Sequence, residues 1–353
     1  MNQKYFILTY GCQMNKADSE RMAGYFENQG FRKAKTADRA DVIVINSCTV
    51  RQAAEDSVYG FGKKVGELKQ KNKDLKIILT GCLVGSVSDH PQRIKLDDLK
   101  KKIPWVDNFW PIGKIGFDIF PVRTSNKTAL IPISFGCNNF CTYCVVPYTR
   151  GTEKSRSMDE IILEVMKAAA EGTEEVTLLG QNVNSYGKDL VPPHSFAKLL
   201  RRLHQIEGIK LIKFLTSHPK DMTDELIDAI AGLPKIDRYL HFPIQAGDDE
   251  ILKRMNRGYT VSDYKKLVYK IRQKIPKVEI GTDIIVGFPG ETREQFENTV
   301  KVIKEIKFDN AFIAMYSPRQ GTPAANFADD VPQTEKRRRH KILLELLRKQ
   351  KLK

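Results

Sequence analysis

The chain has 353 residues, with 58 Lys and Arg against 43 Asp and Glu and a formal charge of +15. That length exceeds one ordinary hydrophobic core and predicts two folded units, each able to bury an interior without disulfide staples. No apolar run reaches about 18 residues, and the start Met1-Asn2-Gln3-Lys4 lacks the charged-then-apolar build of a secretory signal, so a soluble, cytoplasmic protein with no membrane span is expected; a monomer is the default expectation.

In chain order, Tyr5 to Tyr10, Val42 to Asn46 and Lys76 to Thr80 are rich in β-branched and aromatic side chains and read as buried strands. Asp18 to Gln29, closed by Gly30, reads as a helix between the first two. Gln52 to Lys69, with Val58, Phe61, Val65 and Leu68 apolar, reads as a helix that Gly60, Gly62 and Gly66 weaken. This alternation predicts a doubly wound parallel sheet over residues 1–125. The stretch from Asp89 to Asn126, broken by Pro91, Pro104, Pro111 and Pro121, reads as its end and a linker.

A second βα series fills residues 126–332. Its strands are expected at Ala129 to Phe135, Glu175 to Leu179, Ile212 to Ser217, Arg238 to Pro243, Val278 to Val286 and Asn310 to Tyr316. Capping-box signatures at Ser157-Met-Asp-Glu160 and Thr292-Arg-Glu-Gln295 start two of the intervening helices. Six strands make a partial (βα)6, TIM-like barrel, short of the eight that close one. Residues 333–353 hold nine Lys and Arg against two Glu, with Ile342, Leu343, Leu346 and Leu347 apolar. They read as a basic amphipathic helix, packed on the barrel with a solvated face or gripping nucleic acid through Arg337, Arg338 and Arg339.

The cysteines sharpen this. Cys12, Cys48 and Cys82 each follow a strand of the first sheet, and the carboxyl ends of parallel strands converge on one edge, where ligands bind. Cys137-Asn-Asn-Phe-Cys141-Thr-Tyr-Cys144 follows the first barrel strand. In a cytosolic chain, thiolates bound to metal are a better explanation than disulfides. Three thiolates cannot close a tetrahedral zinc site, but they can hold three irons of a [4Fe–4S] cluster and leave the fourth open. The alternative is a structural zinc completed by a distant fourth cysteine. Gly60-Phe-Gly62-Lys63-Lys64 fits neither a phosphate-binding nor a dinucleotide loop, because Ser57 and Lys64 miss the first and Gly66 the second.

The CxxxCxxC motif resembles the radical S-adenosylmethionine (SAM) superfamily. Thr9 to Asn15, Asn46 to Arg51, Thr80 to Cys82, Gly136 to Gly151, Gly180 to Tyr186, His241 to Gln245 and Tyr316 to Arg319 together resemble its methylthiotransferases over nearly the whole chain. The start Tyr10-Gly-Cys-Gln-Met-Asn15 is most similar to members acting on isopentenyladenosine in transfer RNA. The resemblance implies a radical-generating cluster on the catalytic triad Cys137, Cys141 and Cys144, whose open iron is chelated by SAM. It implies a second, sulfur-holding cluster on Cys12, Cys48 and Cys82. It further implies that one SAM supplies the methyl group and another the radical, that the substrate is the base beside the anticodon in a tRNA stem-loop, and that a donor such as flavodoxin or ferredoxin supplies electrons.

SAM contacts carry over loosely to Gln181, Ser217 and Gln245 at strand ends, and to Ile285 and Gly287 of an Ile-x-Gly element in which Asp283 stands where Gly is more usual; each also reads as barrel packing or strand-end capping. His218 and His241 read as structural hydrogen-bonders. Family members usually carry a further C-terminal RNA-binding β-domain, of which no segment is recognised up to Lys353. Three rival readings remain: methylthiolation of a ribosomal protein side chain, against which Gln13-Met14-Asn15 and the positive charge argue, methylthiolation of a different modified tRNA adenosine, and a metal-stabilised RNA-binding module without catalysis.

Overall fold

The computed structural model describes residues 3–50, 52–87 and 93–351; Arg51, Asp89 and Pro91 of the segments named above lie outside them, as do Leu352 and Lys353. The first unit runs β1 (Lys4–Tyr10), α1 (Gln13–Asn28), β2 (Arg32–Lys33), β3 (Val42–Ser47), α2 (Gln52–Lys71), β4 (Lys76–Gly81), α3 (Cys82–Gly85), α4 (Leu96–Lys102) and β5 (Asn108–Phe109). Its five strands form one parallel sheet in the order β2-β1-β3-β4-β5.

Every residue of β3 is buried, as a central parallel strand covered on both faces should be. Ile43 and Ile45 pack toward α2 with Val58, Val65 and Leu68, while Val44 packs toward α1 with Met22, Ala23 and Phe26. α1 begins five residues before the expected Asp18, directly behind Cys12. The glycines do not interrupt α2: a side chain at Gly62 would collide with the ring of Trp105, so that glycine serves close packing. The stretch expected to be irregular contains α4 and β5, whose Leu99 is buried in the sheet core.

The second unit contains β6 (Thr128–Pro132), a hairpin of β7 (Ser134–Phe135) and β8 (Lys154–Ser155), α5 (Met158–Ala170), β9 (Glu175–Leu179), α6 (Phe196–His204), β10 (Leu211–Phe214), α7 (Asp224–Gly232), β11 (Tyr239–His241), α8 (Asp249–Arg254), α9 (Val261–Lys274), β12 (Glu279–Val286), α10 (Arg293–Ile306) and β13 (Asn310–Met315). β6-β9-β10 and β11-β12-β13 are two parallel sheets joined by an Ile212–Ile236 bridge. The result is the six-stranded partial barrel. The expected first strand is split, because β7 turns to pair antiparallel with β8 around the cysteine loop. Both capping boxes form, at Ser157–Glu160 and Thr292–Gln295. α11 (Gln333–Lys351) lays Leu343 and Leu347 into the barrel core.

The two units are packed together. Met14 and Ala17 of α1 meet Leu179, with Leu130 and Leu215 alongside, so α1 covers the barrel wall. Glu164 of α5 is buried among Arg21 of α1 (3.2 Å), Arg123 of the connection (3.1 Å) and Arg156 (2.8 Å). Burial opposes its charge, yet the three guanidiniums prevail and hold the carboxyl below the usual carboxylate range.

Candidate functional site

Cys12, Cys48 and Cys82 stand at the carboxyl ends of β1, β3 and β4, three adjacent strands. Cys12 is exposed, whereas Cys48 and Cys82 are buried. Their loops are laced by amides. Asn15 Oδ1 accepts from the Cys12 backbone N–H at 3.4 Å, and Asn15 Nδ2 donates to Asn46 Oδ1 at 2.9 Å and to the Ser47 carbonyl at 3.2 Å. Ser47 Oγ continues to the Thr80 carbonyl at 2.9 Å. Gly81 adopts φ +88°, and a side chain there would strike Asn46 and Ser47, so only glycine allows the loops to meet. Cys48 donates to Cys82, which raises its own pKa and lowers that of Cys82; Arg150, with Nε 3.3 Å from Cys82 Sγ, lowers the latter further.

The loop between β7 and β8 carries Cys137, Cys141 and Cys144. It is pinned by Cys137 N–H to the Gly151 carbonyl (3.1 Å), Cys144 N–H to the Cys141 carbonyl (2.9 Å) and Asn256 Nδ2 to the Phe140 carbonyl (3.0 Å). Arg257 Nη1 lies 3.2 Å from Cys141 Sγ. Burial raises the Cys137 thiol to about 11, and burial with the neighbouring Cys141 raises Cys144 to about 12. Ligation at either position therefore has to release a proton. Among the described residues no three His, Cys, Asp or Glu side chains are arranged around a single ion. Each triad offers sulfur donors alone, the soft ligand set that iron–sulfur clusters take.

Beside this loop, the carboxyl ends of the barrel strands present buried polar atoms without a hydrogen-bond partner among the described residues: Ser134 Oγ, Gln181 Oε1, Ser217 Oγ, His218 Nε2 and Gln245 Oε1. Buried polar atoms are normally satisfied. The four oxygens of this set can accept from the amino and ribose hydroxyl groups of a ligand such as SAM, while His218 Nε2, which carries the ring proton because Nδ1 accepts from Lys220, can donate to a ligand acceptor such as its carboxylate. Gln245 is held at φ +73° by exchange with β12, its N–H donating to the Asp283 carbonyl and its own carbonyl accepting from Ile285 N–H, both at 2.9 Å. Thr216, beside Ser217, is at φ +62°. Left-handed geometry in a non-glycine residue costs about 1–3 kcal/mol and clusters at functional sites. Ile285 packs with the cluster around Phe288 and Tyr316. Gly287, at φ +69°, faces Lys336 of α11, which a side chain there would strike; packing against that helix accounts for it.

His241 pairs with Asp283 at 3.2 Å. His218 accepts from Lys220 N–H at Nδ1 (3.3 Å), and burial lowers its pKa to about 2. The structural reading covers only Nδ1 of His218, since its Nε2 is one of the unpartnered atoms. The expectation for Arg337, Arg338 and Arg339 needs correction. Arg337 and Arg338 are exposed, but Arg339 is buried against Glu291 at 2.7 Å and over the Phe296 ring, because the apolar face of α11 carries that position inward.

Residues 131–303 match the model of the radical SAM superfamily, and residues 4–107 match that of the uncharacterized protein family UPF0004. The chain is 44% identical to the tRNA-2-methylthio-N(6)-dimethylallyladenosine synthase of Clostridium botulinum strain Hall, over 98% of this chain and 81% of that one. It is 46% identical to the enzyme of that name from Dictyoglomus thermophilum, over 98% and 83%. The chain belongs to this synthase family. It is therefore a radical SAM methylthiotransferase, working with SAM and [4Fe–4S] clusters. Among solved structures, the radical SAM methyltransferase TsrM of Kitasatospora setae, with tryptophan and a SAM analogue bound, superposes with a TM-score of 0.63 at 15% identity, over 92% of this chain and 75% of that one. That likeness is one of fold, and it spans both units.

Sequence reasoning missed Asn15, Asn46, Arg150 and Arg257: Asn15, Arg150 and Arg257 touch the cysteines, and Asn46 holds Asn15 in place. The first three lie inside the motifs that carry the resemblance. The Met14-Asn15 part of the signature locks α1 to the barrel and to the cysteine loops, so it acts through scaffold geometry. Among the described residues no helix is long and apolar enough to cross a membrane.

Proposed function

We propose that this enzyme converts isopentenyladenosine beside the anticodon of tRNA to its 2-methylthio derivative. The observation that carries the proposal is the pairing of two all-cysteine triads at two carboxyl-end edges, tied by Arg319 and Arg150 across one interface. Sulfur insertion at an unactivated aromatic carbon needs both a hydrogen-abstracting species and a sulfur store, and two clusters divide those tasks. In this reading Cys137, Cys141 and Cys144 hold the cluster on which SAM is cleaved, and Cys12, Cys48 and Cys82 hold the cluster that stores sulfur. The chemistry supplied by the bound groups is radical generation and sulfur transfer; the chain's own residues bind, orient and exclude water.

Gln181, Ser217, Gln245, Ile285 and, through the turn it makes, Gly287 form the SAM pocket. The unpartnered oxygens of the first three support this, and Ser134 and His218 Nε2 join them. Residues 1–125, 126–332 and 333–353 are taken as the auxiliary-cluster domain, the barrel and the basic helix. The target base has to be drawn out of its stack to enter between the clusters. The remaining parts of the reading are a monomer, a cytoplasmic location with its tRNA substrate, and a small single-electron donor such as flavodoxin or ferredoxin, drawn by the +15 charge. Mass spectrometry of tRNA nucleosides from cells lacking the gene tests the substrate. Isopentenyladenosine should accumulate at the expense of its methylthio form; an unchanged nucleoside profile with a lost ribosomal-protein modification would reassign it.

A further inference from the structure

One guanidinium stands against each cysteine triad, and the two differ in one respect. Arg257 donates from Nε to Tyr259 Oη at 2.9 Å, from Nη1 to Cys141 Sγ at 3.2 Å and from Nη2 to the Pro243 carbonyl at 2.9 Å. Each of its nitrogens has an acceptor within the chain. Arg150 donates from Nε to Cys82 Sγ at 3.3 Å and from Nη2 to Asp18 Oδ2 at 2.9 Å, but its Nη1 is buried with no acceptor among the described residues. The residue is 8% exposed, so bulk water does not serve that nitrogen.

A charged donor buried without an acceptor is costly and rare, and here it marks an acceptor that the described residues do not provide. Nε and Nη2 share one edge of the guanidinium and are engaged there by Cys82 and Asp18. Nη1 lies at the end of the same planar fork, and the guanidinium, which does not deprotonate in a protein, brings a full positive charge to this position. The group that belongs beside the Cys82 sulfur in the proposed reading is an iron–sulfur cubane, whose sulfides flank each ligating thiolate.

We propose that Arg150 is a positioning residue of the auxiliary cluster, with Nη1 donating to one of its inorganic sulfides. The inference rests on the assignment of that cluster to Cys12, Cys48 and Cys82. Two consequences follow from the chemistry. A charged donor at a cluster sulfur stabilises the reduced form, which carries one more negative charge, so Arg150 raises the reduction potential of this cluster alone. The Asp18 bond, reaching from α1 to the β7–β8 loop, holds the fork in register.

The test uses anaerobically reconstituted, full-length Arg150→Met, Arg150→Lys and Asp18→Asn, titrated with reductant and followed by electron paramagnetic resonance. The two clusters are told apart by adding SAM, which perturbs only the one it chelates. In Arg150→Met the potential of the SAM-insensitive cluster should move negative while the other stays put, and methylthiolated product per SAM cleaved should fall about 10- to 100-fold. Arg150→Lys, which keeps the charge but not the fork, should lie between. Asp18→Asn should move the potential far less. A SAM-insensitive cluster with wild-type potential in Arg150→Met overturns the proposal, and so does an Asp18→Asn variant that reproduces the full shift, since Arg150 would then be only a strut between the units. If Arg150→Met does not fold, an unshifted potential in Arg150→Lys overturns it instead. Wild-type protein with about four irons and no SAM-insensitive signal would sink the two-cluster reading, a separate failure.

Discussion

Nη2 of Arg319 donates to the backbone carbonyl of Val50 at 2.9 Å, joining the loop after the last barrel strand to the residue two beyond Cys48. Its Nη1 holds Gln52 Oε1 at 2.7 Å, and nearby Arg93 Nε donates to the Gln320 carbonyl at 2.7 Å. These bonds secure the edge of the first sheet to the barrel mouth through protein atoms that are not cysteine ligands. Loss of one triad should therefore leave the other loop in place, and the triads can be separated by mutation.

Cys141→Ala is expected to abolish both reductive SAM cleavage and product. Cys48→Ala should still yield 5′-deoxyadenosine when given a reductant, while forming no methylthiolated base. Chromatography of both products from one reaction is the measurement, with a retained unfolding transition as the folding control. Normal methylthiolation by Cys48→Ala, or SAM cleavage by Cys141→Ala, would reverse the assignment.

Reconstituted protein should hold about eight irons and about eight sulfides per chain, one cubane on each triad. Metal and acid-labile sulfide analysis decides this. A plateau near half that value removes the second cluster, and zinc in place of iron removes both.

On α11 the exposed and the buried cations should behave differently. Replacing Arg337, Lys341 and Arg348, all exposed, with Ala should weaken tRNA binding and reduce the slope of log affinity against log salt by up to about one per lost phosphate contact, with stability kept. Arg339→Ala should instead lower stability by about 3–5 kcal/mol, because it strands the buried Glu291 carboxylate. An unchanged salt slope in the triple variant would confine α11 to packing.

His218 should make stability depend on pH on the acid side. Burial lowers its pKa in the folded chain to about 2, so the unfolded chain binds a proton that the folded chain refuses once the pH falls below the ordinary histidine value. Its contribution is complete above about pH 6.5 and shrinks as the pH falls below that, by about 1 kcal/mol between pH 7.5 and 6. Anaerobic urea unfolding of wild type and His218→Gln at both pH values should show a shallower dependence in the variant; parallel curves would mean that the ring is not held neutral.

Local pattern carried much of the architecture. All six barrel strands lie where apolar, β-branched runs stand between amphipathic segments, and the three parallel strands ahead of Cys12, Cys48 and Cys82 are legible in the same way. The early start of α1 was hidden because polar Gln13 and Asn15 carry little helical signal; Asn15 is held there by contacts to Asn46 and Ser47, 31 and 32 positions away. β2 and β5, two residues each, form only because a sheet edge is there to receive them.

By itself, the sequence determined which residues form strands and helices and set six thiols at strand ends, because periodicity and strand-end position are properties of neighbours along the chain. Only the tertiary structure decided which charges meet those thiols. Arg150 reaches Cys82 across 68 positions and Arg257 reaches Cys141 across 116, while Arg339, in a run of three arginines, turns inward to Glu291. An arginine reads the same in sequence whether it is solvated or buried. Its partner, and therefore its chemistry, is set by how the sheet, the barrel and the last helix pack against one another.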